Sequence, residues 1–189
     1  MNSTRMNKII LDLCGGTGSW SKPYKDAGYV VRLITLPEHN VCEYIPPENV
    51  YGVLSAPPCT MFSLARTTAK TPRDIKGALA IVSNCIRIVF VCKPKFWALE
   101  NPMCLLRKYL GPPKITVQPY WFSDRHSKQT DLWGDFNIPK FSPVRLTEDE
   151  LHRAKQKSRL LPKHIGLTQA DKRAITPQGF AKAFFEANK

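Results

Sequence analysis

The chain of 189 residues is missing several features, and each absence narrows what it can be. None of its six cysteines stands in a C-x-x-C pair or beside a histidine cluster, so no metal site is expected. The N-terminus, Met1–Asn7, is polar and lacks the apolar core of a secretory leader, so the cysteines are expected to stay reduced. No run of about 18 uncharged apolar residues occurs. The best candidate, Gly77–Cys92, is interrupted by Asn84 and Arg87, and no membrane span is expected. The one glycine-rich segment lacks the lysine of a phosphate-cradling loop, which argues against an NTPase. What remains is a 43% apolar chain of single-domain length, enough for a real core and too ordered in composition for wholesale disorder. A soluble, intracellular, cytoplasmic protein is the expectation.

Negative charge is also scarce. The 15 Asp and Glu face 28 Lys and Arg, for a net charge of +13. The excess is not uniform: residues 1–58 carry five charges of each sign, 59–136 carry twelve basic against five acidic, and 137–189 eleven against five. A neutral first third followed by two basic thirds is expected to attract a polyanion, of which nucleic acid is the commonest. A merely soluble basic protein has the same composition, so charge alone leaves the two readings even.

Apolar runs alternate with helix-like segments. Lys8–Leu13, Tyr29–Thr35, Tyr51–Ala56 and Lys95–Glu100 read as strands, with shorter ones at Ile115–Gln118 and Thr130–Trp133. A helix is expected to open at Ser21-Lys22-Pro23, capped by Ser19 or Ser21, and to end near Gly28. Thr71-Pro72 should cap a long helix to Cys92, apolar almost all round and therefore buried. Thr147-Glu148-Asp149-Glu150 is a capping box for a basic helix to about Leu160. Thr176-Pro177 should open a last helix to Asn188. The pattern predicts an α/β fold, a mainly parallel sheet with helices on both faces.

Ligands of such sheets bind at the carboxyl ends of the strands, and three of those ends are chemically unusual. The first strand runs into Asp12-Leu13-Cys14-Gly15-Gly16-Thr17-Gly18-Ser19, a glycine turn that lets a nucleotide-like cofactor approach the backbone. The third is stopped by Pro57-Pro58, which presents Cys59 rigidly, as a nucleophile requires and a packing cysteine does not. The fourth ends in Glu100-Asn101-Pro102, where a carboxyl leaving an apolar strand is suited to hold or donate a proton. Each has an ordinary structural alternative: a tight turn, a buried cysteine, a capping glutamate.

In this order, on successive strands, the three motifs resemble those of the DNA cytosine C5-methyltransferase family, over about Ile9–Trp133 and again near Arg173–Lys189. The resemblance implies a Rossmann-like methyltransferase fold with S-adenosylmethionine held at Asp12, Cys14, Gly15, Gly16, Thr17 and Gly18. Glu38 would serve the ribose, with Asn40 and Pro57 completing that pocket. It makes Cys59 the nucleophile, Glu100 the carboxyl on the cytosine ring, and Arg125 a third catalytic group. Arg125 and Lys128 fall in a departed version of the family's glutamine-x-arginine-x-arginine element. Pro58, Ser63, Arg66, Asn101, Pro102 and Lys128 would touch the substrate. The basic residues Lys155, Lys157 and Arg159 would hold nucleic-acid phosphates.

The expected division is a catalytic core over 1–136, a short basic insertion over 137–172 in place of a target-recognition domain, and a returning helix over 173–189. Double-stranded DNA is the expected partner. RNA or single-stranded DNA is the first alternative, a non-catalytic nucleic-acid binder on the same scaffold the second. An amino-methyltransferase would want an aromatic residue where Cys59 stands. The small size resembles phage-borne members, in the cytoplasm of a bacterial or phage-infected cell.

Overall fold

The computed structural model describes residues 8–64, 66, 69–125, 127–155 and 175–189, the side chains of 153–155 excepted. Six strands form one sheet: β1 (Ile9–Leu13), β2 (Val30–Ile34), β3 (Val50–Ser55), β4 (Phe96–Pro102), β5 (Ile115–Val117) and β6 (Thr130–Asp135). Their spatial order is β2-β1-β3-β4-β6-β5. The first four are mutually parallel, and β6 lies antiparallel between β4 and β5. The helices are α1 (Lys22–Asp26), α2 (Ile75–Cys92), α3 (Arg107–Leu110), α4 (Glu148–Lys155) and α5 (Gln178–Ala187).

The central strands β1, β3 and β4 are mostly apolar on both sides because both sides are covered, whereas edge strand β2 exposes Val30 and Arg32. Ile10, Leu54, Ala98 and Leu132 share one cluster with Tyr24 of α1 and Phe180 and Phe184 of α5. Leu11, Val53, Leu99 and Trp133 share the other with Val82, Cys85 and Ile88 of α2. This is the mainly parallel α/β sheet that the sequence pattern predicts. The connection leaving β1 runs to β2 on one side and that leaving β3 runs to β4 on the other, so the strand order reverses between β1 and β3, the position at which such sheets bind ligands.

Three local expectations are corrected. The long helix starts at Ile75, not Pro72, because the Asp74 carboxylate accepts the Gly77 N–H at 2.8 Å. The groups of Thr71 go instead to Arg66, whose Nη2 donates to its carbonyl and hydroxyl at 2.8 and 2.7 Å. Nor is α2 buried all round: Ala78, Val82, Cys85, Ile88 and Val89 face the sheet, while Phe90 and Val91 are exposed. At 18 residues and mean hydropathy 1.8, α2 is long and apolar enough to cross a membrane by length and composition alone; here one face of it rests on the sheet. Ser21 does stand at the N-cap of α1, but its hydroxyl donates elsewhere, to Asp12.

The capping box of α4 is formed as expected. The Thr147 N–H donates to Glu150 Oε2 at 2.9 Å, and the Glu150 N–H to Thr147 Oγ1 at 3.2 Å. Its expected continuation to Leu160 lies outside the described residues. Helix α5 takes its cap from a distance: Asp124 accepts the N–H groups of Gly179 and Phe180 at 3.2 and 3.1 Å. A Cβ at position 179 would lie 1.8 Å from the Phe122 carbonyl oxygen, so only glycine lets the helix dock this closely. At the far end, Asn188 accepts from the Asn137 N–H and donates to its carbonyl, which ties α5 to the chain leaving β6.

Candidate functional site

Four parallel strands place four carboxyl ends along one edge, and each end carries a feature that the sequence singles out. At β1, Asp12 is wholly buried. It shares the strand face of Ile10, the face covered by α1 and α5. Ser21 donates to its Oδ2 at 2.5 Å, while Oδ1 is buried without a hydrogen-bond partner among the described residues. Burial pushes this carboxyl up to about 6, against the hydrogen bonds from Ser21 that pull it down. The next turn wraps directly over it. A Cβ on Gly15 would lie 2.2 Å from Asp12 Oδ1, so glycine is required for that approach. Cys14 enters the turn in the left-handed region (φ 56°), with its N–H bonded to the Ile34 carbonyl of β2 at 2.7 Å. Its thiol is held below the ordinary range by hydrogen bonding to the buried Cys85 thiol. Gly16 and Thr17 are exposed at the tip, and Gly18 is half-buried.

After β2, Glu38 and Asn40 are both exposed. Asn40 is occupied within its own loop: Oδ1 accepts the Cys42 N–H at 3.1 Å and Nδ2 donates to Glu43 at 2.9 Å.

The ends of β3 and β4 are joined. Asn101, 1% exposed, donates Nδ2 to the Pro57 carbonyl at 2.9 Å, and its Oδ1 accepts from Cys104 Sγ at 3.4 Å. One amide thus ties the Glu-Asn-Pro strand to the Pro-Pro-Cys loop. Pro57 is buried, Pro58 exposed and Cys59 half-buried. The Cys59 carbonyl opens a tight turn, accepting from the N–H groups of Phe62 and Ser63 at 3.0 and 2.9 Å. Cys104 lies near enough to feel Cys59, and burial pushes its thiol up.

Glu100 has the strand parity of Ala98, and therefore projects to the same sheet face as Asp12. It is 9% exposed, and its Oε2 is buried with no hydrogen-bond partner among the described residues. A cavity opens beside it, walled by Val117, Lys128, Thr130, Thr176, Pro177 and Phe180. Two buried carboxylates, each with an oxygen to spare, therefore stand on one face at one edge. A buried polar atom without a partner is costly, and a ligand donor would relieve it.

The remaining expected residues divide between this edge and other partners. Arg125 is exposed and forms a two-pronged pair with Glu150 of α4 at 2.7 and 2.9 Å. Lys128, not Arg125, shares the cavity with Glu100. Arg66 is bonded to Thr71 and Pro72. Ser63 follows the Cys59 turn, and Pro102 closes β4 opposite Thr130. The side chain of Lys155, and all of Lys157 and Arg159, lie outside the described residues. Sequence reasoning missed Thr130, Thr176, Cys104 and Asp124. For Thr176 the signal was present in the closing Thr-Pro that packs against the site; the others have no local signature.

The raised Asp12 carboxyl has a measurable consequence. Between its unfolded value of 3.8 and about 6, the folded chain binds more protons at this site than the unfolded one. Its contribution is therefore full below pH 3.8 and is lost as the pH rises through about 6, costing about 3 kcal/mol by pH 7. Asp12→Asn should remove that loss. Subtracting the unfolding free energies of the two proteins across this window isolates the site; a flat difference would show that the carboxylate is not desolvated.

Against known proteins, no family model matches the chain. It is 30% identical over 89 residues to the type II methyltransferase M1.HphI of Haemophilus parahaemolyticus, an alignment covering 45% of this chain and 23% of that relative. The chain thus spans about a quarter of that relative's length. Among solved structures it superposes, with a TM-score of 0.50 and 15% identity, on a chain described as a DNA modification methyltransferase encoded within an Escherichia coli prophage. That match covers 75% of this chain and 52% of the other. A DhpI–SAM–HEP complex aligns at a TM-score of 0.28 and 11% identity, too low to carry an argument. The chain has a methyltransferase-like α/β fold and is distantly similar to DNA methyltransferases.

Proposed function

We propose that this chain is an S-adenosylmethionine-dependent DNA methyltransferase acting at C5 of cytosine. The observation that carries the reading is the Asn101 tether, which unites the half-buried Cys59 loop with the strand of Glu100, whose Oε2 has no hydrogen-bond partner among the described residues. A packing cysteine and a capping glutamate would need no such link.

The residues present fit the cofactor. Asp12 holds a carboxylate oxygen without a hydrogen-bond partner among the described residues beneath the turn, Gly16 and Gly18 leave room at the backbone, and Cys14, Thr17 and Pro57 border the same strand ends. Exposed Glu38, with Asn40 two positions on, would serve the ribose from the β2 side. S-adenosylmethionine held there supplies an electrophilic methyl group. Cytosine C5 is a poor nucleophile until something adds at C6. The Cys59 thiolate adds there, and Glu100 holds the exocyclic amine and a proton at N3, which relieves its lone Oε2. Electron density then reaches C5; once C5 carries the methyl, loss of its proton expels Cys59. The base must leave the duplex first, at a cost of a few kcal/mol. Pro58, Ser63 and Pro102 flank the base, and Lys128 and Thr130 offer donors from the cavity wall.

In this reading Arg125 and Arg66, given their partners, hold loop structure rather than substrate. The basic stretch 137–172 holds phosphates and reads little sequence, between the core over 1–136 and the helix over 173–189. Replacing Lys155, Lys157 and Arg159 together should weaken binding to all sequences alike and lower the log–log salt slope by about two to three units. An unchanged slope would remove these residues from the interface, and an altered target preference would make them a reading element. The reading as a whole is tested with a labelled methyl donor and duplex DNA, single-stranded DNA or RNA, followed by nucleoside analysis. 5-Methylcytosine from duplex DNA is expected. A label on RNA, or on an exocyclic amine, would replace the proposal.

A further inference from the structure

We infer that Arg73 is a positioning residue for the Cys59 thiol, an inference that rests on Cys59 being the nucleophile. The turn Cys59–Ser63 is one helical turn that is not continued. Cys59 O accepts two N–H groups; beyond it, Ser63 O takes only a long bond from the Arg66 N–H at 3.4 Å, and Met61 O takes no backbone N–H among the described residues. Arg73 supplies both: Nη1 donates to Met61 O at 2.7 Å and Nη2 to Ser63 O at 2.9 Å. Between them, Phe62 O accepts the Leu105 N–H at 3.2 Å, and the Phe62 ring is wholly buried. The turn is therefore gripped along three consecutive carbonyls, while Asn101 holds Pro57 O upstream. The guanidinium itself is well planted, one residue ahead of the Asp74 cap of α2, whose inner face is packed on the sheet.

The form of the clamp matters. Two carbonyls spaced two residues apart need two divergent donors at fixed separation, which the planar guanidinium fork provides and a lysine ammonium does not. Arg66 is the contrasting case. Its guanidinium binds Thr71 and Pro72 and so braces the approach to α2; only its backbone N–H reaches the turn, at 3.4 Å from Ser63 O. Arg73 contacts no reacting group. It sets where the thiol stands, and a displacement of about 1 Å at a nucleophile costs on the order of 10²-fold in rate.

The test uses the full chain with Arg73→Ala, Arg73→Gln and Arg73→Lys. Two readouts are taken: kcat for methyl transfer, and the rate of Cys59 alkylation by iodoacetamide, mapped by peptide mass with the buried Cys85 as reference. The alanine variant should lose roughly 10²-fold in kcat with cofactor affinity unchanged. Its Cys59 alkylation rate should shift by at least about threefold, lysine should not restore either readout, and millimolar methylguanidinium should restore both in part. A loop that merely needs stability would lower the melting temperature without that rescue. Should the alanine variant fail to fold, the glutamine variant carries the same comparison. Cys59 alkylation within about twofold of the parent in the folded variants, with no response to methylguanidinium, overturns the assignment. Absence of any methyl transfer by the parent protein would instead overturn the nucleophile reading, since alkylation reports the position of the thiol whatever reaction it serves.

Discussion

Cys59→Ser is expected to abolish methyl transfer, by more than about 10³-fold, the scale on which loss of a nucleophile acts. The fold and cofactor binding should survive. The substitution is nearly isosteric, at a half-buried site whose backbone is held by Pro57-Pro58 and by its own turn. The difference is one of acidity: an alcohol is far harder to ionise than a thiol and does not add to C6. Parent-like rates from the serine variant would sink the covalent mechanism. A denaturation-resistant adduct with 5-fluorocytosine DNA, formed by the parent and not by the variant, would support it.

Glu100→Gln should slow the reaction by about 10²–10⁴-fold, the worth of a positioned acid. The carboxyl is 9% exposed with one oxygen unpartnered, so water contributes little to its present stabilisation. An amide keeps the shape and can still accept through its carbonyl, but it cannot hold a proton for N3. Cofactor affinity should be unchanged, because Asp12 and the glycine turn stand two strands away across β3. Loss of cofactor binding in this variant would move Glu100 into the other pocket.

Much of this was legible in the sequence because it is local. Runs such as Ile9–Leu13 and Val50–Ser55 are apolar on both faces, as strands covered on both sides must be, and Pro57-Pro58 and Asn101-Pro102 mark where they stop. The Thr147–Glu150 box is a four-residue device, and it formed as read. The errors arise where a distant residue competes. Thr71 does not cap α2, since Arg66 takes its groups and Asp74 stands closer to the free N–H of Gly77. Arg125 carries a partner that no local pattern shows, Glu150, which α4 brings in from 25 positions away. The Asn101 tether and the Asp124 cap span 44 and 55 positions and leave no periodic trace. The exposure of Phe90 and Val91 was hidden for another reason: composition shows that a helix can be buried, not whether a second layer exists to bury it.

The docking of α5 has a consequence for the order of events during synthesis. Glu100 and the loop of Cys59 leave the ribosome long before Thr176, Pro177 and Phe180, which wall the cavity beside Glu100. Until that helix emerges and its first N–H groups find Asp124, the carboxylate faces open solvent. A nascent chain stalled ahead of residue 176 would therefore carry its thiol and its carboxyl without an enclosed place to use them. In the proposed reading, the incomplete polypeptide thus lacks the walled cavity beside Glu100 in which a base would be held.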